Sequence, residues 1–156
     1  MAIFEVLNNQ QSYFNRYFRR NEGTTDYATI PAVTLAEGDV ITFLWLAPTS
    51  ITTGAEYVFD GDATGLNRAP MILQTNGTID FGFSWVNSYT IDGINQAIGG
   101  SYPTDGKLHC VSIVCGVNAN GRNIGTIYSR FGASNYLSGI LANLKIYDNG
   151  TLIRDY

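Results

Sequence analysis

The chain contains a single histidine, His109, and hydrolytic chemistry based on a serine or cysteine nucleophile would need this residue as its base. His109 stands at the start of the run "HCVSIVCGV", in phase with Val111 and Ile113 on a predicted strand. A side chain in that position is expected to be tucked into the fold as a structural residue. The chain also has no G-x-S-x-G, H-E-x-x-H, P-loop or G-x-G-x-x-G motif, which argues against an enzyme.

Paired carboxylates are the other route to catalysis, because a retaining glycosidase holds two of them about 5 Å apart. The sequence shows no Glu-x-Asp-x-x-Glu strand. Its glutamates are scattered along the chain: Glu5, Glu22, Glu37 and Glu56. We therefore predict that the protein is not an enzyme, with an unrecognised glycanase as the remaining catalytic alternative.

The segment "FDGDATG" carries Asp60 and Asp62, and two carboxylates in one tight loop could bind Ca²⁺ at the rim of a β-sandwich. The number of carboxylates falls short of an EF-hand, and the Asp-Gly pair alone also explains a turn. We predict no cofactor, with calcium at these two residues as the alternative.

Aromatic and amide side chains in predicted loops form the other candidate site. Sugar recognition typically combines an aromatic ring under an apolar sugar face with amide hydrogen bonds. The candidate ligand-binding residues are Asn87, Tyr89, Tyr102, Arg130, Asn135 and Tyr136. A separate basic cluster is either a solvated turn or an assembly contact for an acidic partner, and it consists of Arg16, Arg19 and Arg20.

The composition excludes several classes of protein. Charged residues make up 14% of the 156 residues, and the net charge is −4, which argues against a phosphate-backbone binder of nucleic acid. The longest apolar run, "VITFLWLA", is too short to insert across a membrane, and no apolar signal-peptide region follows Met1. Low charge with 10 Tyr and 17 Gly is typical of all-β sandwiches and fibrous attachment proteins.

The two cysteines, Cys110 and Cys115, lie five residues apart on one predicted strand and should point to opposite faces. A straight strand holds them roughly 16 Å apart, beyond the reach of a disulfide. We expect two free thiols and folding in a reducing compartment.

Turn signals recur along the chain between short runs of β-branched and aromatic residues. They are Asn76-Gly77, Asn120-Gly121, Asn149-Gly150, Asp60-Gly61, Asp92-Gly93 and Asp105-Gly106. This spacing predicts an all-β antiparallel sandwich or barrel, in one domain over residues 1–156. The "NGT" sequons at Asn76 and Asn149 coincide with these turns, so the turn interpretation is preferred over glycosylation.

Two strands can be phased. In "TIDFGFSWV", alternation places one set of side chains on the core face: Ile79, Phe81, Phe83 and Trp85. The run "VITFLWLA" is apolar on both faces, so a loop, the N-terminal segment or a neighbouring subunit must cover its second face.

The chain closes with "LANLKIYDNGTLIRDY", where Asn149-Gly150 predicts a two-residue hairpin turn. Its expected pairs are Ile146 with Ile153, Tyr147 with Leu152, and Lys145 with Arg154. The last pair juxtaposes like charges, which an acid such as Asp148 or Asp155, or a partner, would have to soften. We predict that residues 151–156 form a real strand.

The order of these segments resembles laminin-G-like, or concanavalin A-like, lectin domains. "TIPAVTLAEGDVITFLWLAP" is similar to the family's early strand pair, and "EYVFDGDATG…MILQTNGTIDFGFSW" is similar to its next hairpins. "DGKLHCVSIVCG" places Asp105, Gly106 and His109 on the family pattern, although Leu108 stands where the family usually has Trp. "IGTIYSRFGASNYLSGILANLKIYDNGTLIRDY" resembles the family's ending, in wording common in bacteriophage tail-fibre and virion proteins.

The resemblance covers roughly residues 25–156 and implies a concanavalin A-like jelly roll. It also implies an N-terminal strand within residues 1–24 that lies beside residues 151–156. It implies a non-enzymatic virion protein, made in the host cytoplasm, that recognises a cell-surface glycan or decorates the capsid or tail. Its partners would be other virion proteins or further copies of itself. The alternative is a purely structural assembly protein without a glycan ligand.

Overall fold

A computed structural model of the chain describes residues 28–50, 54–61, 67–127 and 140–156. In these ranges the chain forms short strands joined by tight turns. They are β1 (Ala28–Thr34), β2 (Val40–Leu46), β3 (Glu56–Asp60), β4 (Met71–Leu73), β5 (Ile79–Asp80), β6 (Val86–Ile91), β7 (Ile94–Gln96), β8 (Leu108–Cys115), β9 (Asn123–Ile127), β10 (Ile140–Asp148) and β11 (Thr151–Asp155). Two 3-10 turns lie between them, at Gly82–Ser84 and Val117–Ala119.

The strands form two antiparallel sheets that pack face to face. The five-stranded sheet has the order β1-β9-β3-β4-β5, and the six-stranded sheet has the order β11-β10-β2-β8-β6-β7. The predicted all-β sandwich is therefore confirmed, whereas the concanavalin A-like jelly roll stays a prediction. Within the described residues, no helix has the length and apolar character needed to cross a membrane.

Aromatic side chains from both sheets fill the space between the layers. Phe43 of β2 meets Phe59 of β3 edge to face, with ring centroids 5.8 Å apart. Phe59 also packs against Trp85, with centroids 6.2 Å apart, and the rings of Phe59 and Trp85 are fully buried. Burying each such ring contributes about 1.5–3 kcal/mol, so these contacts bind the two layers together.

The apolar strand "VITFLWLA" lies inside the six-stranded sheet, between β10 and β8. Ile41, Phe43 and Trp45 face the core, while Leu44 and Leu46 are half-buried on the outer face. The N-terminal segment that was one candidate cover for this outer face lies outside the described residues.

The predicted strand "TIDFGFSWV" is wrong beyond its first residues. Ile79 begins the two-residue strand β5, but the chain then turns through Gly82–Ser84. Phe81 and Trp85 are buried as expected, whereas Phe83 is 55% exposed. Phe83 lies on the outside instead of in the core, because a tight turn breaks the two-residue alternation on which the prediction depends.

The closing hairpin forms, and the strand predicted over residues 151–156 is confirmed over Thr151–Asp155, where β11 pairs with β10. Asn149 and Gly150 have φ of 46° and 81°, the left-handed pair that a type I′ turn requires. The Tyr147–Leu152 pair is also confirmed.

The register beyond that pair differs from the prediction, because a bulge shifts β11 by one residue. Ile146 pairs with Arg154 instead of Ile153, and Lys145 pairs with Asp155 instead of Arg154. The Lys145 Nζ lies 3.0 Å from Asp155 Oδ2, so the bulge exchanges a like-charge pair for an opposite-charge pair. Of the two acids expected to soften the repulsion, Asp155 makes the contact.

The two cysteines are free and lie on opposite faces of β8, as predicted. Cys110 is exposed, whereas Cys115 is 2% exposed and belongs to the core. Burial raises the pKa of the Cys115 thiol to about 12, and the charge of Asp39 adds to the effect.

We expect one thiol per folded chain to react rapidly with a thiol reagent, because only Cys110 is accessible and only the thiolate is reactive. The second thiol should react after denaturation. Spectrophotometric thiol titration measures both numbers. Cys110→Ser should abolish the rapid reaction, and two rapid thiols in the folded wild type would contradict the placement of Cys115.

Candidate functional site

The turn Gly82–Ser84 presents an exposed aromatic ring at one end of the sandwich. Phe81 and Trp85 hold the turn from below, with their rings edge to face at a centroid distance of 5.7 Å. The Trp85 Nε1–H donates to the Pro70 carbonyl oxygen at 3.0 Å, and the Ser84 N–H closes the turn onto the Phe81 carbonyl oxygen at 3.1 Å. With both neighbours fixed in the core, the Phe83 side chain is directed outward.

The backbone at this turn is in a costly conformation. Phe83 has φ 71° and Ser84 has φ 51°, the left-handed region that L-residues avoid. The cost is about 1–2 kcal/mol per residue, and bulky residues are rare there. Such conformations concentrate at functional sites, so the strain at Phe83 makes this exposed ring a candidate for recognition.

Arg122 stacks on the same ring, with its Cζ 4.7 Å from the Phe83 centroid. A type II turn over residues 119–122 positions Arg122. Asn120 has φ −54° and ψ 120°, Gly121 has φ 75°, and the Arg122 N–H donates to the Ala119 carbonyl oxygen at 2.9 Å. Gly121 supplies the positive φ that this turn requires.

Two backbone carbonyls hold the Arg122 guanidinium in place. Its Nε–H donates to the Asn118 carbonyl oxygen at 2.6 Å, and its Nη1–H donates to the Arg68 carbonyl oxygen at 3.0 Å. No carboxylate lies within ion-pair distance of it in the part of the chain that the structure describes. The site therefore joins an apolar ring to a guanidinium without an acidic partner.

A buried ion pair lies beneath this ring and guanidinium. Asp60 is fully buried, and the Arg68 Nε–H lies 2.8 Å from Asp60 Oδ1 and 3.1 Å from Oδ2, while the Arg68 Nη2–H also donates to Oδ2. Gly61 donates its N–H to Oδ1 at 2.7 Å. A Cβ at Gly61 would come within 2.9 Å of both the Arg68 Cγ and the Asn123 Oδ1, so the space requires a glycine.

The charge of Arg68 is stabilised by its partners. Burial alone would lower the pKa of this guanidinium, but its hydrogen bonds to Asp60 and Tyr57, with the attraction of Asp60, raise the pKa above its ordinary value. The Arg68 Cζ also lies 5.6 Å from the Tyr57 centroid and 5.9 Å from the Phe83 centroid. We refer to Asp60, Arg68, Phe83 and Arg122 together as the arginine–phenylalanine cluster.

A second polar cluster lies around the single histidine. His109 Nδ1 is 2.7 Å from Asp92 Oδ2, and its Nε2 is 3.0 Å from Asp105 Oδ1. Both ring nitrogens can donate to carboxylates only in the protonated imidazolium. Asp92 belongs to the β6–β7 turn, and Asp105 belongs to the loop before β8. The imidazole therefore connects this turn and this loop to β8 through its hydrogen bonds.

The pKa values of this triplet move in opposite directions. Burial lowers the pKa of His109, but hydrogen bonds to Asp105 and Asp92 outweigh it and raise the pKa above its ordinary value. A hydrogen bond from the Cys110 N–H and one from His109 lower the pKa of Asp92. His109 and the Lys107 N–H lower the pKa of Asp105. With both nitrogens occupied, the imidazole is a structural group, as the sequence predicted, and the side chain is 11% exposed.

The exposure expected for two of the ligand-binding candidates is wrong. Tyr89 is 1% exposed on β6, and its hydroxyl donates to the Ala97 carbonyl oxygen at 3.1 Å. Tyr102 is 6% exposed, and its hydroxyl donates to the Gln74 carbonyl oxygen at 3.0 Å. Each tyrosine buries its ring and satisfies its hydroxyl on a backbone carbonyl, which loop-based reasoning did not anticipate.

The remaining candidates fall in different places. Asn87 is exposed, at the start of β6. Asp60 is not in an open rim loop, because its carboxylate is buried and bound by Arg68, whose positive charge would repel a calcium ion. No group of His, Cys, Asp and Glu in the described ranges is placed to hold a metal ion. Several candidates lie outside the described residues: Asp62, Arg130, Asn135, Tyr136, Arg16, Arg19 and Arg20.

Only one feature of the cluster can be predicted from the sequence. The Asn120-Gly121 pair predicts a turn, and Arg122 directly follows it. Alternation predicts that Phe83 lies on the core face, and no neighbouring residue distinguishes Phe83 from Phe81. Asp60 and Arg68 are eight residues apart in the sequence, and Phe83 and Arg122 are 39 residues apart, so neither contact follows from a local pattern.

Comparison of the chain with protein-family models, with curated proteins and with solved structures finds no match. The resemblance to laminin-G-like domains therefore stays a prediction, and a functional assignment depends on the geometry of the described residues.

We expect Asp60→Asn to lower the free energy of unfolding by about 3 kcal/mol, because it removes the carboxylate that balances the charge of Arg68. This is the lower end of the range for buried pairs, since the Arg68 side chain keeps 10% exposure. Urea unfolding measures the loss. Asp155→Asn, which breaks the exposed pair with Lys145, is the matched control and should cost far less. Equal losses in the two variants would contradict the structural importance of the Asp60 pair.

We expect the stabilisation supplied by His109 to be greatest between about pH 4 and pH 6.5. The raised pKa of His109 gives stability that is complete below the ordinary imidazole value and is lost as pH rises through the folded-state value. The lowered pKa values of Asp92 and Asp105 give stability that is present above the ordinary carboxyl value and is lost as pH falls through the folded-state values.

The measurement is the difference in urea midpoint between wild type and His109→Gln, followed from pH 3 to pH 9. The difference should form a plateau in the acidic window and shrink on both sides. A difference that stays constant over the whole range would show that the ion pairs do not contribute.

Proposed function

We propose that the protein is a non-enzymatic, lectin-like recognition module of a bacteriophage virion, and that it binds a cell-surface glycan at the arginine–phenylalanine cluster. The bacteriophage setting rests on the resemblance of its segments to tail-fibre and virion proteins. The composition, with little charge and much tyrosine and glycine, agrees with an attachment protein.

The observation that carries the glycan proposal is Phe83. A phenylalanine that is 55% exposed and held at φ 71° costs stability twice, through exposed apolar surface and through backbone strain. A ring in this position is useful when another apolar surface covers it. The apolar face of a sugar is such a surface, and aromatic rings are its usual support.

The polar groups around the ring fit sugar hydroxyls. Asn118 is exposed beside the turn, with its Nδ2–H donating to the Ser84 carbonyl oxygen at 3.4 Å, and Arg122 lies on the ring itself. The carboxylate of the cluster, Asp60, is bound by Arg68 and buried, so it is not available as an acid or base. The cluster therefore supports binding and offers no acid–base pair for hydrolysis.

A second candidate function, assembly or decoration of a particle through further copies of this chain, rests on the outer face of the six-stranded sheet. Leu44 and Leu46 are half-buried on that face, and Leu108 of β8, which pairs with Leu46 of β2, is 44% exposed. These three side chains are apolar, so burying them against the same row of a second copy would be favourable.

The test is binding of the full chain to an array of bacterial surface glycans, comparing wild type with Phe83→Gly. Glycine removes the ring and relieves the strain of the positive φ. We therefore expect Phe83→Gly to lose binding to the glycans that the wild type binds, while its melting temperature stays equal or rises. Loss of binding without loss of stability cannot be attributed to unfolding.

Ile94→Ala is the matched control, because Ile94 is 67% exposed on β7, at the other end of β6 from the turn. This variant should bind as the wild type does. If the wild type retains no glycan and has the mass of a stable oligomer in solution, the assembly function replaces the glycan function. Cleavage of a polysaccharide by the purified protein would overturn both.

A further inference from the structure

Arg122 differs from the other cation of the cluster in having no acid to neutralise it. In the cluster, Arg68 carries one positive charge that Asp60 balances, and Arg122 adds a second positive charge. The sum over these three groups is +1, in a protein whose formal net charge is −4. A local positive charge on an acidic protein favours an anionic ligand at this site.

The hydrogen-bonding capacity of Arg122 is only partly used. A guanidinium has five N–H donors. Two of them are bound, by the carbonyl oxygens of Asn118 and Arg68, which leaves three: both on Nη2 and one on Nη1. The Arg122 side chain makes no other hydrogen bond or ion pair within the described chain, so these three donors are available to a ligand.

The same two carbonyls keep the side chain in one position. Arg122 is therefore ordered before any ligand arrives, and binding does not have to immobilise a long flexible side chain. Its planar group lies on the Phe83 ring, with Cζ 4.7 Å from the centroid, so the free donors are next to the apolar support.

We infer that the ligand of this site is an acidic sugar, whose carboxylate is bound by Arg122 while its ring lies against Phe83; this inference rests on the proposed function. A carboxylate offers two oxygens in one plane and matches the parallel N–H groups of a guanidinium. In a uronic acid the carboxylate is attached directly to the sugar ring, so one sugar residue reaches both groups.

The experiment measures binding of the full chain to oligomers of galacturonic acid, of glucuronic acid and of N-acetylneuraminic acid. Each oligomer is paired with the same oligomer after chemical reduction of its carboxyl groups to alcohols. We expect at least one acidic oligomer to bind, with affinity falling about ten- to hundredfold on carboxyl reduction, as for the loss of a charged hydrogen-bonded pair. Binding should also weaken as the salt concentration rises.

Two variants separate charge from geometry. Arg122→Gln should remove the preference, so that the acidic and reduced oligomers bind equally weakly. Arg122→Lys keeps the charge but loses the planar pair of donors, and it should recover only part of the affinity. Arg154→Gln is the matched control, because Arg154 is an exposed arginine on β11, away from the cluster, and it should bind as the wild type does.

Thermal unfolding of each variant establishes that the fold is intact, and Phe83→Gly provides a second loss of binding that does not depend on Arg122. If the wild type binds neutral glycans and Arg122→Gln changes nothing, the acidic ligand is wrong while glycan recognition stands. If a sulfated oligomer binds far more tightly than its carboxylated counterpart, the choice of a carboxylate is wrong. If the wild type binds no glycan of either charge, the proposed function fails and this inference fails with it.

Discussion

The buried pair between Asp60 and Arg68 is the interaction on which one end of the sandwich depends. The carboxylate belongs to the last residue of β3, and the guanidinium belongs to a residue that shortly precedes β4 in the chain. An unpaired charge in that position would be expensive, so each partner fixes the location of the other. Once Arg68 is fixed, its backbone carbonyl is fixed as well, and this carbonyl holds Arg122.

The aromatic part of the site depends on the core in a similar way. Phe81 and Trp85 bury their rings between the sheets, and the three residues between them form a 3-10 turn. Burial of one ring stabilises the fold by about as much as the left-handed conformations of Phe83 and Ser84 destabilise it. Burial of two rings therefore exceeds the strain of the turn. The exposed ring of Phe83 is therefore supported by burial of its neighbours.

The sequence predicts those features that local chemistry decides. Asn149-Gly150 forms its turn because only those residue types accept two left-handed conformations in succession. The phase of β8 follows because one face of the strand must be dry, whereas the run of β2 is apolar on both faces and does not show which face is the core. The buried rings of Tyr89 and Tyr102 could not be predicted in this way, because their hydroxyls are satisfied by carbonyls from other segments of the chain.

Phe83 shows most clearly where sequence reasoning ends. Its neighbours, the spacing of aromatic residues and the β-branched flanks all favour a continuous strand. The outcome is decided by groups that are distant in sequence, namely the Pro70 carbonyl oxygen that accepts the Trp85 hydrogen bond and the Arg122 side chain that contacts the ring. No pattern within the stretch itself contains that information.

The bulge in the closing hairpin has a consequence for how the molecule behaves among its own copies. In the described chain, β11 forms one edge of the six-stranded sheet, and a flat edge strand offers unpaired backbone groups to any other strand. The bulge twists this edge, and Arg154 and Asp155 place charges along it. A second chain therefore meets a poor template for continuing the sheet, which protects a protein rich in β-structure and low in charge from growing into fibrils.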